Sequence, residues 1–222
     1  MSTILRIGII DDDSSKVTQI ITKLSKGIEG ASVEKKKKYS QFTFEPYEIE
    51  LKENLQEVID QITEHKIQGI LLDYNLSSFA NVDYTGIELA NALEDMLYDF
   101  PIFVLTAYDD DLFTNEIFNA YQVFDFERYL SEESECIELH FKIIEQILKN
   151  QKQKENWEKE LKDLLPYAGT SEKVDSRLLE LDSKLEKTID GKHSLSDKAK
   201  KDLSSNKLID LLNKLDDILE KE

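Results

Sequence analysis

Over the first 150 residues, short continuous apolar runs alternate with stretches of helical periodicity. Ile4 to Ile10 is a β-branched run that stops at Asp11-Asp12-Asp13, and the segment after it, SSKVTQIITKLSKGI, repeats Val17, Ile20, Ile21 and Leu24 at helical spacing. Asp13 or Ser14 is the expected N-cap. EGASVEKKKKYS reads as a loop, and QFTFEPYEIEL alternates aromatic or aliphatic with polar residues, as a strand or strand pair with Pro46 marking an edge or a bulge. A helix is predicted from about Lys52 to His65, with Leu55, Val58, Ile59 and Ile62 on one face. Ile67 to Leu72 is the next buried run, followed by the polar stretch SSFANVDYT and a helix carrying Ile87, Leu89, Ala90, Leu93, Met96 and Leu97. PIFVLTA predicts a fourth strand, DDDLFTNEIFNAYQV a helix, FDFERYL a fifth strand, and ECIELHFKIIEQILKN a helix that continues through Trp157 to Leu165.

Strand and helix alternating five times predict an α/β fold with a five-stranded parallel sheet, doubly wound, its helices on both faces. Parallel strands covered on both sides need uninterrupted apolar runs, because neither side chain direction meets water. Residues 1–150 form this unit and residues 151–222 a helical C-terminal extension, with helices at about 151–165, 171–189 and 205–221. In the extension, Val174, Leu178, Leu181, Leu185 and Ile189 recur at steps of three or four, and residues 208–219 repeat the pattern. Such amphipathic, coiled-coil-like stripes must be buried against each other, a second copy of the chain, or another protein. Trp157, on a mostly charged helix, is either a packing anchor or a partner contact.

Charge narrows the partners. The formal charge is −18, and residues 1–150 carry 13 Lys/Arg against 29 Asp/Glu. An acidic chain without a basic stripe is not built to neutralise phosphates, so nucleic acid is an unexpected partner. The run Lys35 to Lys38 reads as a solvated loop. The single cysteine, Cys136, excludes an internal disulfide and a thiolate metal cluster, and His65, His140 and His193 lack ligand spacing. His193 lies in GKHSLSDKAK, at a helix break, which is a poor setting for a phosphotransfer histidine. With no signal-peptide pattern and no span of about 20 apolar residues, the expectation is a cytoplasmic protein without membrane contact.

In a doubly wound sheet, sites form beyond the carboxyl ends of the strands. Asp11 and Asp12 follow the first strand, Asp73 the third in GILLDYNL, and Thr106 the fourth. Carboxylates there suit a hard divalent ion, which takes oxygen ligands, and a third carboxylate beside it can attack a phosphoryl group.

IGIIDDD, GILLDYNL, TGIELANAL, PIFVLTAYDD and ERYLSEE, in this order, resemble the receiver domain of bacterial two-component response regulators. The resemblance implies a flavodoxin-like fold with Asp73 as phosphoryl acceptor. It implies Mg²⁺ held by Asp11, Asp12, Asp73 and the backbone carbonyl of Asn75, Thr106 as switch hydroxyl, and Tyr129 as aromatic switch on the last strand. It also implies a histidine kinase or another phosphodonor as partner, an effector protein contacted through the receiver face or the C-terminal helices, and a possible homodimer. No enzymatic turnover is expected beyond Mg²⁺-dependent phosphorylation of the chain itself and its reversal.

Three features depart from the family. Its usual lysine, three residues past the switch aromatic, falls on Glu132; Ser77 stands where a proline is usual; and Ser77 to Tyr84 inserts into the loop after Asp73. A carboxylate at the lysine position removes countercharge, leaving Arg128 or Lys142 as substitutes only through a shifted register. The alternative reading is a degenerate receiver that recruits an effector without phosphorylation, in bacterial signalling or defence. A metal-dependent phosphohydrolase is disfavoured, because Asn75 stands where its general acid is required.

Overall fold

A computed structural model describes residues 2–76, 82–106 and 122–189. Five strands, β1 (Thr3–Ile10), β2 (Phe42–Glu48), β3 (Gly69–Asp73), β4 (Ile102–Thr106) and β5 (Val123–Asp125), form one all-parallel sheet. Their order is β2-β1-β3-β4-β5, the flavodoxin-like arrangement of a doubly wound sheet, as expected. The apolar runs explain which strands are central: every residue of β3 and β4 is buried, as are Leu5, Ile7, Ile9 and Ile10 of β1. Each large aliphatic side chain so buried contributes about 1.5–3 kcal/mol. Strand β2 is half-buried and lies at the edge, where Pro46, lacking an N–H, costs the sheet little.

The helices are α1 (Ser14–Lys26), α2 (Val33–Tyr39), α3 (Leu55–Glu64), α4 (Gly86–Met96), α5 (Phe126–Ser131), α6 (Glu133–Leu164) and α7 (Glu172–Ile189). Asp13 caps α1 by accepting from the Ser15 N–H at 2.8 Å, and Gly27 ends it at φ 57°, a left-handed conformation that glycine adopts without penalty. Asn54 caps α3, so that helix starts at Leu55, three residues later than the periodicity suggests.

Two local expectations are corrected. The lysine run is a helix and no loop: Ser32 accepts from the Lys35 N–H, and Tyr39 is buried with its ring 5.0 Å from that of Phe141. Lys35 lies 4.3 Å above the Phe141 ring and 3.6 Å from Glu138, and Lys38 3.5 Å from Glu145, so acids of α6 pair with the first and last lysines of the run. FDFERYL is only partly strand. Asp125 accepts from the Arg128 N–H at 2.6 Å and so caps a helix, which ends β5 and places Phe126 and Tyr129 on the buried face of α5. Residues 109–121 of the predicted helix over DDDLFTNEIFNAYQV, residues 77–81 of the insertion and the helix at 205–221 lie outside the described residues, and Val123, at the end of that predicted helix, begins β5 instead.

The chain divides into two compact units, one of Met1–Asp95 and Asp99–Asn150, the other of Met96–Tyr98 and Gln151–Glu222. The first holds the whole sheet. In the second, Trp157, Leu178 and Leu181 are buried, and the Arg177 guanidinium grips Glu160 through two bonds of 2.7 and 2.8 Å. Trp157 is therefore a packing anchor: the Tyr98 ring meets it edge-on at 5.1 Å, with the Lys184 ammonium 5.4 Å above it. Among the described residues, no helix is long and apolar enough to cross a membrane.

A buried polar line fastens α1, α5 and α6 together. The His140 Nδ1–H donates to the Gly27 carbonyl at 2.6 Å, which leaves Nε2 to accept from the Tyr129 hydroxyl at 3.1 Å. Cys136 Sγ lies 3.8 Å from the same Nε2. Burial pushes the imidazole down to about 4; the Gly27 bond opposes this, and the charge of Lys23 adds to it. In the unfolded chain the ring takes its proton near its ordinary value of about 6.5. Stability from this neutral histidine is thus complete above about 6.5 and lost as pH falls toward 4. Urea titrations should show the wild type losing about 2 kcal/mol more than His140→Asn between about pH 7.5 and 5, because the variant has no imidazole to titrate. Equal losses would refute a neutral buried His140.

Candidate functional site

The chain runs from β1 outward to β2 and then crosses back to β3, so the C-terminal ends of β1 and β3 flank the point where strand order reverses. Ile10 of β1 pairs with Leu72 of β3, so the next residues, Asp11 and Asp73, emerge side by side. Carboxylate oxygens of Asp11, Asp12 and Asp73 all lie within 4.8 Å of one another. The structure therefore brings together the three acids that the sequence singles out. Asp73 pairs with Leu105 of β4, which places buried Thr106 one step further along the neighbouring strand end. Asn75 follows two residues beyond Asp73 and is exposed.

The three consecutive acids divide their work. Asp11 Oδ1 accepts from the Asp13 N–H at 2.8 Å, which folds the turn, and Asp13 in turn caps α1. The helix so started carries Lys16 in its first turn, and the Lys16 Nζ donates to Asp73 Oδ2 at 2.9 Å and stands 3.9 Å from Asp11 Oδ2. The ammonium also lies 5.5 Å over the Phe126 ring. Sequence reasoning missed this lysine. Its one local signal is position: a cation in a helix's first turn opposes the macrodipole and wants a nearby anion to justify it.

Both enclosed carboxyls are pushed up even with the ammonium beside them. Burial pushes the Asp11 carboxyl up to about 7, with the charges of Asp73 and Asp12 adding to it, against the Asp13 N–H and Lys16. Asp73 is raised as well, by burial first, although the Lys16 hydrogen bond opposes the shift. Lys16 is itself raised: burial draws it down, but its bond to Asp73 and the surrounding carboxylates outweigh that. Burial, more than charge, drives these acids toward neutrality, and Lys16 opposes it at both. The donor set, all carboxylate oxygen, fits a hard divalent cation such as Mg²⁺, and the lodged ammonium shows that a cation is accommodated there.

Other expected participants are occupied elsewhere. Glu132 is half-exposed and its carboxylate pairs with Arg128 at 3.1 Å. Arg128 also bonds Glu135, and Lys142 lies over the Phe124 ring and 4.0 Å from Glu138, so the countercharge at Asp73 comes from Lys16 and not from these two. Tyr129, expected on the last strand, is on α5. It is 1% exposed with its hydroxyl on His140, because Asp125 starts a helix where alternation suggested strand.

Helix α4 begins against the backbone just after Asp73 through a glycine that the sequence reading assigned no role. The Gly86 N–H donates to the Tyr74 carbonyl at 2.9 Å, and a Cβ there would stand 2.1 Å from the Asp73 carbonyl oxygen. Thr85 and Glu88 set this helix start with a reciprocal capping box, Thr85 N–H to Glu88 Oε2 at 2.7 Å and Glu88 N–H to Thr85 Oγ1 at 3.2 Å.

No family model matches the sequence, and no curated protein matches it. Among solved structures the chain is similar to a two-component transcriptional regulator AraC from Clostridium phytofermentans ISDg, at 18% identity over 67% of this chain and 98% of that one, with a TM-score of 0.42. It is similar to the anti-anti-sigma factor PhyR from Bartonella quintana at 16% identity over 69% of this chain and 51% of that one, TM-score 0.42. A fusion carrying the trimeric coiled coil of yeast Spc42 is 17% identical over 84% of this chain and 95% of that one, TM-score 0.44.

Gly86→Ala must push backbone away from backbone beside Asp73, where no flexible side chain can yield. We expect a loss of about 1–3 kcal/mol in urea titration, and an unchanged midpoint would contradict the close approach.

Proposed function

We propose that this chain is a receiver-type signalling protein that takes a phosphoryl group on Asp73 and reports it to a protein partner. The observation that carries the reading is the grouping of Asp11, Asp12 and Asp73 at the crossover between β1 and β3 with an ammonium bonded to Asp73. A docking surface alone gives no reason to bury carboxylates so close together, since each pays for its lost hydration. Phosphoryl transfer gives one, because it asks the protein for position and countercharge.

Asp11, Asp12, Asp73 and the Asn75 carbonyl would hold Mg²⁺, which supplies charge for the equatorial phosphoryl oxygens. In the transfer, an Asp73 carboxylate oxygen attacks phosphorus, the bond to the donor's leaving group breaks and its electron pair departs with that group, and an acyl phosphate forms. The Lys16 ammonium stands where it can offset the added negative charge, and the Thr106 hydroxyl, at the adjacent strand end, can donate to a phosphoryl oxygen. The donor would be a phosphohistidine on a kinase or a small phosphodonor. The partner would be a protein recruited by the receiver face or by the helical extension.

Incubated with Mg²⁺ and phosphoramidate or acetyl phosphate, the wild type should gain the mass of one phosphoryl group and Asp73→Asn should gain none. No gain in the wild type sinks the acceptor reading and leaves a phosphorylation-independent binding module. Asp12→Ala and Asp73→Ala should each weaken Mg²⁺ binding about tenfold or more, since loss of even an outer-shell partner costs that much.

A further inference from the structure

We propose that Lys16 is a tethered cation that competes with the divalent metal for Asp73 and Asp11, so that metal binding requires its ammonium to leave the pocket. The geometry gives it the contested ligands: Nζ is 2.9 Å from Asp73 Oδ2 and 3.9 Å from Asp11 Oδ2. Both carboxylates are almost fully enclosed, with side chains 7% and 3% exposed, whereas the lysine side chain is 28% exposed. The acids are enclosed and the lysine is partly solvated, so the lysine is the member with room to leave. Asp11 is held by the Asp13 N–H, and Asp73 by its strand, while four rotatable bonds let Lys16 swing out.

A divalent ion bonded to the Asp73 carboxylate would meet an ammonium at hydrogen-bond distance from the same group, and like charges that close repel strongly. In the proposed competition the ion takes the oxygen that Lys16 holds and breaks the Lys16 bond to Asp73. That bond is charge-assisted, and its loss is worth roughly a tenfold to hundredfold change in affinity. The lysine is useful again once Asp73 carries a phosphoryl group, because the negative charge at that position then increases. Metal alone would displace it and metal with phosphoryl would draw it back. The mobility would also be felt at Phe126, whose ring Lys16 now covers at 5.5 Å.

The test is isothermal titration of the full chain with magnesium chloride, for the wild type, Lys16→Met and Lys16→Arg. Lys16→Met is expected to bind Mg²⁺ roughly tenfold to a hundredfold more tightly than the wild type, and Lys16→Arg, which keeps the charge, to stay near it. If Lys16→Met is unstable without metal, its melting midpoint should rise more on Mg²⁺ addition than that of the wild type, which reads the same competition. Lys16→Met binding Mg²⁺ no more tightly, or gaining no extra stability from it, overturns the proposal. The inference rests on the acid trio as a divalent-cation site, and it fails separately from the acceptor reading. A phosphorylated wild type with no gain of metal affinity in Lys16→Met removes only the competition. A wild type that takes no phosphoryl group, beside a Lys16→Met that gains Mg²⁺ affinity, removes only the acceptor.

Discussion

Two adjacent parallel strands that both end on a carboxylate face a charge problem at their shared edge, and much of the first unit is arranged around it. The register that pairs Ile10 with Leu72 makes Asp11 and Asp73 neighbours whether or not their charges suit each other. Moving either away would shift a whole buried strand by one residue and reverse its two faces. The countercharge must come to the acids, and it comes in two forms from one element. Helix α1 starts at Ser14, directly beyond the acids, so its partly positive end lies near them, and Lys16 adds a full charge. That helix start itself depends on the acids, since Asp11 holds the Asp13 N–H and Asp13 caps the first turn. The acids thus organise the group that offsets part of their charge.

The sheet was legible because its signal is local and redundant. A parallel strand buried on both faces must be a continuous apolar run, and ILRIGII, GILLD and IFVLT contain little else. The acids were legible for a related reason: a charged residue directly after such a run has few places to be other than a strand's end. Lys16 was not, because nothing in KVTQII tells whether a lysine points to solvent or to a residue 57 positions later. The lysine run over 35–38 fails in the same way. Its helix depends on Phe141, Glu138 and Glu145, residues a hundred positions distant, and lysines tolerate loop and helix alike. FDFERYL misled for a different reason. Phe124 and Phe126 alternate as in a strand, but Phe126, Tyr129 and Leu130 also keep helical spacing, and the Asp125 cap decides between the two.

Placing Tyr129 on α5 changes what that helix is tied to. Its hydroxyl leads through His140 to the Gly27 carbonyl at the end of α1, and Lys23 of α1 donates to the Leu130 carbonyl at 2.5 Å. Lys16, two turns earlier on the same helix, lies over Phe126 at the start of α5. Helix α1 is therefore fastened to α5 near both of its ends, at one end by the neutral line through His140 and the Lys23 bond, and at the other by a lysine shared with Asp73. The buried end is costly to disturb, because any group left without its partner there has no water to turn to. The Lys16 end is partly solvated and holds by one charge-assisted hydrogen bond and a contact with the Phe126 ring, so it is the weaker of the two. Helix α1 is thus tied to α5 by two routes of unequal strength, one set by the charge around Asp73 and felt at Phe126, the other set by burial along the Gly27–His140–Tyr129 line.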